Sequence, residues 1–161
     1  MVYDIREGYE VHYSPELVEE KYIDGALKSE RSFKYGNIDE KTLYIQIPKM
    51  ENVTSLRNLI RTLITDETMN LIIDVRNNGG GNSNSVPKLL GDFVKEKTLL
   101  GNYIEKFGPL HEDEISAPMY AEPSPDYHFD IKVFLLINRA CYSATTYFAG
   151  MVNALPNFTL V

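Results

Sequence analysis

"LIIDVRNNGGGNSNSVPKLLGDF", residues 71–93, decides the fold. It opens inside a near-continuous apolar run of strand length, read as a strand over 69–76, and passes through three consecutive glycines. It then resumes with Val86, Leu89, Leu90 and Phe93, followed by Val94, at the spacing of one helix face. A strand covered on both faces lacks polar alternation, as strands of a parallel sheet do. The stretch is therefore a strand–loop–helix unit.

The same grammar extends outward. "TLYIQIP" (42–48) alternates, is rich in β-formers and stops at a proline, which predicts a strand. Leu56, Leu59, Ile60, Leu63 and Ile64 predict a helix entered near Thr54 or Ser55. Downstream, "LLGNYIEKF" (99–107) reads as a strand, and Gly108 to Asp126, with four prolines, as a long functional or mobile loop. "FDIKVFLLIN" (129–138) is a third buried strand. Ala144, Tyr147, Phe148, Met151, Val152 and Leu155 mark a third helix, and "NFTLV" (157–161) a further strand.

Upstream, "SPELVEEKY" (14–22) reads as a short helix capped by Ser14, within a polar lead-in or remnant of an upstream region over 1–41. Residues 42–161 form the core, expected to stop short of its C-terminal end. This order of elements argues an α/β domain with a mostly parallel central sheet and right-handed crossovers. Sites in such sheets collect where strands deliver the chain at their C-terminal ends. Two deliveries stand out, Arg76 to Ser85 and Asn138 to Ser143.

Composition narrows the function classes. A chain of 161 residues, 43% hydrophobic, fits one domain with a real core. Its net charge of −7 and lack of any Lys/Arg cluster exclude an electrostatic nucleic-acid footprint. The longest apolar stretch, "VFLLI" (133–137), is far below the roughly 18 residues of a membrane span. The start "MVYDIREGYE" has no signal-peptide core, so an exported location, periplasmic or extracellular, would require a leader absent from this chain. One cysteine, Cys141, excludes an intrachain disulfide framework and reads as a small buried hydrophobe. No His/Cys/Asp/Glu spacing matches a metal site, so neither metal nor cofactor is expected.

The chemistry-bearing residues admit two readings each. Gly79, Gly80 and Gly81 can form a tight turn, or a loop whose bare N–H groups receive a phosphate or a developing oxyanion. The G-x-G-x-x-G spacing and a P-loop lysine are both absent. Ser143, between an apolar strand and an amphipathic helix, is a helix cap or a nucleophile exposed on a strand–turn–helix. Thr145 and Thr146 would share first-turn bonding. Asp74 is expected to pair with Arg76 or cap backbone donors rather than act as an acid, and Asn77 and Asn78 to fix the loop by side-chain to backbone bonds.

Together, two segments resemble a known family. "LIIDVRNNGGGNSNSVPKLLGDF" is similar to the aspartate-arginine-asparagine-glycine strand and loop of the carboxy-terminal processing (tail-specific) serine proteases, which include tricorn-type relatives. "VFLLINRACYSATTYFAGMVNAL" (133–155) resembles that family's nucleophile segment. The resemblance covers about 42–161 and implies a ClpP/crotonase-like spiral of ββα units that hydrolyses peptide bonds through an acyl-enzyme. It places the nucleophile on Ser143 and the oxyanion hole on the N–H groups of Ala144 and of the glycine loop, Gly80 in the first place and Gly81 as the alternative.

The match departs at the base. The processing proteases use a lysine about two dozen positions after the serine, but the last lysine here is Lys132. Tricorn-type relatives use a histidine on an earlier segment, for which His12 and His111 are the candidates, while His128 reads as structural. Cys141 and Tyr142 replace the family's small residues, and Thr146 its glutamate. The expected partners are a polypeptide substrate and further copies of the chain, without nucleic acid. Two other readings remain at this stage: a catalytically silent member that holds a peptide or apolar ligand in the cleft, and acyl-CoA chemistry on the same scaffold.

Overall fold

A computed structural model describes residues 28–30, 33–84, 86–110 and 112–161. The helix expected over 14–22 and both candidate bases, His12 and His111, lie outside the described residues.

The central sheet has six strands: β1 (Lys28–Glu30), β2 (Phe33–Asp39), β3 (Thr42–Gln46), β4 (Asn70–Asp74), β7 (Lys132–Leu136) and β8 (Phe158–Leu160), in that spatial order. The pairs β1/β2 and β2/β3 are antiparallel, whereas β3, β4, β7 and β8 run parallel. The architecture is therefore mixed α/β with a mostly parallel sheet, as expected. The lead-in assigned to 1–41 supplies β1 and β2, so its described part extends the sheet rather than preceding it. Leu43, Tyr44 and Ile45 are all buried, so both faces of β3 are covered, as its neighbour's apolar run implied.

Between β3 and β4 lies helix α1 (Val53–Leu63), which buries Val53, Leu56, Leu59 and Ile60. Its cap is Asn52, not Thr54 or Ser55; the Asn52 Oδ1 accepts the Ser55 N–H at 3.1 Å. Helix α2 (Val86–Leu90) is shorter than its apolar spacing implied and tightens into a 3₁₀ turn at Gly91–Phe93. The cause is a strand of chain packed against it. The Gly91 carbonyl accepts the Ser124 N–H at 2.9 Å and the Asp92 carbonyl the Phe129 N–H at 2.7 Å, and a side chain at Gly91 would strike the Glu122 carbonyl.

The Gly108–Asp126 loop is corrected by the structure. Eight of its residues are strand β6 (Glu114–Ala121), which pairs antiparallel with β5 (Thr98–Lys106) as a separate two-stranded ribbon. Most side chains of both strands are exposed, which removes the alternation by which a strand is recognised. Helix α3 (Ala144–Val152) buries Ala144, Thr145, Phe148, Met151 and Val152; Tyr147, expected on that face, is half exposed. Among the described residues no helix is long and apolar enough to cross a membrane.

One buried charge cluster ties α1 to the 3₁₀ turn. Asp92, with no exposed surface, accepts two bonds from Arg57 and two from Arg61, at 2.6–2.9 Å. The two arginines stand four apart and so share one helix face. Arg61 also bonds Ser124 and lies 4.0 Å over the Tyr127 ring. Burial alone would raise the Asp92 carboxyl, but the Arg61 and Arg57 guanidiniums outweigh it and hold the group below its ordinary 3.8. Its contribution to stability is therefore complete above that value and is lost as pH falls through the depressed one. Replacing Asp92 by Asn should cost about 3 kcal/mol in urea unfolding at pH 7, the low end for a broken buried pair because both guanidiniums reach solvent. The difference between the two proteins should shrink below about pH 4.

Candidate active site

The register of the parallel strands determines which loops meet. Gln46, Asp74 and Leu136 lie side by side, so β3, β4 and β7 release their loops at one edge. The pairing continues past the strand ends, with Ile47 N–H donating to the Asp74 carbonyl at 2.8 Å and Val75 N–H to Leu136 at 3.0 Å. The glycine loop and the serine turn thus leave neighbouring strands, although more than sixty residues separate them in sequence.

Below this edge, Asp74 is held as its neighbours suggested. The carboxylate, almost wholly buried, accepts the Tyr44 hydroxyl at 2.7 Å, the Arg76 N–H at 3.0 Å, and the Arg76 guanidinium at 2.9 and 2.5 Å. With four donors on two oxygens it anchors the strand end and has no free lone pair directed at a substrate. Burial, and then the bond to Asp74, push the Tyr44 hydroxyl far above its ordinary value, so it stays a donor.

The loop itself is organised by Asn78, which is fully buried. Its Nδ2 donates to the Ile47 carbonyl at 2.7 Å, and its Oδ1 accepts the Gly80 N–H at 2.9 Å and the Thr145 hydroxyl at 2.8 Å. Its carbonyl accepts the Tyr142 N–H at 3.1 Å. Beside it Asn77, at a φ of 62°, makes a reciprocal pair with Asn138: the Asn77 N–H donates to Asn138 Oδ1, and Asn138 Nδ2 to Asn77 Oδ1, both at 2.9 Å. Cys141, half-buried, donates its thiol to the Val75 carbonyl at 3.1 Å, as a structural cysteine does.

The two motifs are in direct contact. A Cβ placed on Gly80, whose φ is 105°, would lie 2.7 Å from the Tyr142 carbonyl and 2.8 Å from Ser143 Cβ. Gly81, at a φ of 146°, lies against the backbone of Met50. There the Met50 N–H donates to the Gly80 carbonyl at 2.9 Å and the Asn82 N–H to Met50 at 2.7 Å. Because a trans peptide points its N–H opposite to its C=O, the Gly81 N–H is directed away from Met50. Glycine is required at both positions for lack of space as well as for conformation.

Ser143 occupies the N-cap position of α3, yet its hydroxyl makes no capping bond. Its backbone has φ 54° and ψ −121°, a combination L-residues rarely adopt, and its side chain is exposed. Its carbonyl, by contrast, is saturated by Thr146 N–H, Thr146 Oγ1 and Tyr147 N–H at 2.7–3.1 Å. Such strain costs of order 1–3 kcal/mol and persists only where the surroundings impose it. Among the described residues, neither Ala144 N–H nor Gly81 N–H has an acceptor, whereas the Gly80 N–H is occupied by Asn78. The turn therefore presents a bare hydroxyl beside the unused Ala144 N–H, and the glycine loop packed against it holds a second unused N–H on Gly81.

The remaining expected residues stand apart. His128, exposed, precedes β7 while Ser143 follows it, so the whole strand separates them. Lys132 stands at that same far end. Among the described residues no side chain bonds the Ser143 hydroxyl, and no three His, Cys, Asp or Glu gather as a metal site would require. Sequence reasoning missed two contributors: Asn138, detectable only as an amide at a strand end, and Thr145, whose hydroxyl leaves the helix turn for Asn78.

A serine on a strand–turn–helix at the edge of an α/β sheet is an arrangement in which hydrolases expose a nucleophile. Residues 41–161 match the sequence profile of peptidase family S41, and the chain belongs to that family. No curated protein matches it. Among solved structures, a protein of Parabacteroides merdae ATCC 43184 assigned as a peptidase is 28% identical over 83% of this chain and 44% of its own, with a TM-score of 0.70. The photosystem II D1 C-terminal processing protease is 16% identical, covering 74% of this chain and 29% of its own (TM-score 0.55). Mature CPAF is 12% identical, covering 88% and 43% (TM-score 0.62). The last two show a shared fold, and this chain spans less than half the length of each of the three.

Replacing Ser143 by Gly removes the conformational strain and should leave the protein as stable as wild type or up to about 1 kcal/mol more so. Replacing Gly81 by Ala should destabilise it. Thermal unfolding of the two variants checks both directions.

Proposed function

We propose that this chain carries the nucleophile and oxyanion hole of a serine endopeptidase of the tail-specific type. One observation carries the reading: Ser143 is held at a φ of 54° with its side chain exposed and its hydroxyl unused for capping. A cap would spend that oxygen on the helix; a nucleophile keeps it free.

The Ser143 Oγ attacks the scissile carbonyl carbon and transfers its proton to a base. The carbonyl oxygen, now negative, is received by the N–H groups of Ala144 and Gly81, and each such donor is worth about 2.7–4 kcal/mol. Gly80, whose N–H serves Asn78, contributes its missing side chain instead, which lets the loop approach the turn. Collapse breaks the C–N bond, the amine leaves with the proton held by the base, and water hydrolyses the ester to release the acid.

The base belongs to a part of the protein outside the described residues. A lysine following Val161 or one of His12 and His111 fits this reading, and the substrate is a polypeptide. The fold is read in full as a crotonase-like spiral of ββα units, a reading that the β2–β3–α1 succession supports. Converting Ser143 to Ala in the full-length protein should reduce peptide hydrolysis by at least about 1000-fold with an unchanged circular dichroism spectrum. Hydrolysis persisting at the wild-type rate would remove Ser143 from the mechanism.

A further inference from the structure

We propose that Asn78 and Thr145 act together as positioning residues that select which glycine N–H faces the reacting carbonyl. The inference rests on the serine-peptidase reading above and goes beyond it to the device that sets the oxyanion hole.

The Asn78 carboxamide is fully buried and three of its four hydrogen-bonding places are filled by three different elements. The donor to Ile47 fixes it to the end of β3. The two acceptor places take the Gly80 N–H and the Thr145 hydroxyl, one from the glycine loop and one from the first turn of α3. Thr145 is itself fully buried, so its hydroxyl is spent wholly inside the protein.

The consequence falls on the next peptide. With the Gly80 N–H drawn onto Asn78 and the Gly80 carbonyl drawn onto the Met50 N–H, Gly80 is held through the peptide on each side of it, and the second bond sets the plane of the Gly80–Gly81 peptide. Triple glycine would otherwise exchange among many conformations at little cost. Held this way, the Gly81 N–H stays outside the loop's own hydrogen bonds, one residue on from Gly80, which packs against the Ser143 turn. Thr145 couples that orientation to the helix that begins at the nucleophile, so the two donors move as one body. Electrostatic stabilisation depends on donors that need no reorganisation at the moment of reaction, which is what such a tether supplies.

Asn78→Ala would empty a buried place shared by three elements, so the test uses Thr145→Val in the full-length protein. This exchange keeps the branched shape and deletes the hydroxyl. The expected result on a peptide substrate is a fall in kcat of about 10- to 100-fold with KM changed by less than about twofold, because the lost effect belongs to the transition state. Thr145→Ser should restore kcat to within about threefold of wild type, since the hydroxyl returns. A Thr145→Val protein with a lowered Tm but wild-type kcat would overturn the proposal and leave a purely structural bond. Ser143→Ala, measured beside it, separates the two claims: an inactive Ser143→Ala with a fully active Thr145→Val sinks the positioning role alone, while an active Ser143→Ala sinks both.

Discussion

The buried carboxamide of Asn78 is the constraint on which the site depends. One planar group bonds the end of β3, the glycine loop and the first turn of α3, and its backbone carbonyl takes the Tyr142 N–H of the serine turn. An amide suits this place because it offers donors and acceptors at once without charge. A carboxylate could not donate to the Ile47 carbonyl, and an apolar side chain would leave several buried polar groups unpaired.

Around that hub the sheet does the coarse positioning and local strain the fine. Parallel register brings Gln46, Asp74 and Leu136 into line, so the delivery of all three loops to one edge does not depend on the bonds the loops then make with one another. Asp74, saturated by Tyr44 and Arg76, stiffens the strand just before the glycines. The strained backbone at Ser143 then follows from close packing: Gly80 occupies the space against the turn, and the Ser143 carbonyl is saturated by α3. The Asp92 cluster is remote from this edge and serves stability, holding α1 against the chain that precedes β7.

Much of this was legible in the sequence because the parallel core writes itself as apolar runs and helical spacing. β4, β7 and α1 fall where their patterns put them. What escaped has physical reasons. β6 is exposed along most of its length and contains Pro118, so nothing in "EISAPMYA" alternates as a half-buried strand would. α2 keeps its apolar spacing past Leu90, yet the backbone tightens because the Gly91 and Asp92 carbonyls are bonded by a segment more than thirty residues away. The loop donor was expected on Gly80 ahead of Gly81; the Gly80 N–H is instead taken by the Asn78 side chain, a matter of peptide-plane direction that residue type does not reveal. Whether Ser143 caps its helix could not be read from residue type, since a serine fits either role and the dihedral angles decide.

The central claim is that Ser143 is a nucleophile, and covalent capture tests it most directly. Full-length protein treated with a fluorophosphonate, digested and analysed by mass spectrometry should carry one phosphonyl group, with loss of fluoride, on the peptide containing Ser143. Complete hydrolytic activity with that peptide unmodified, or an adduct placed on another residue, would contradict the account.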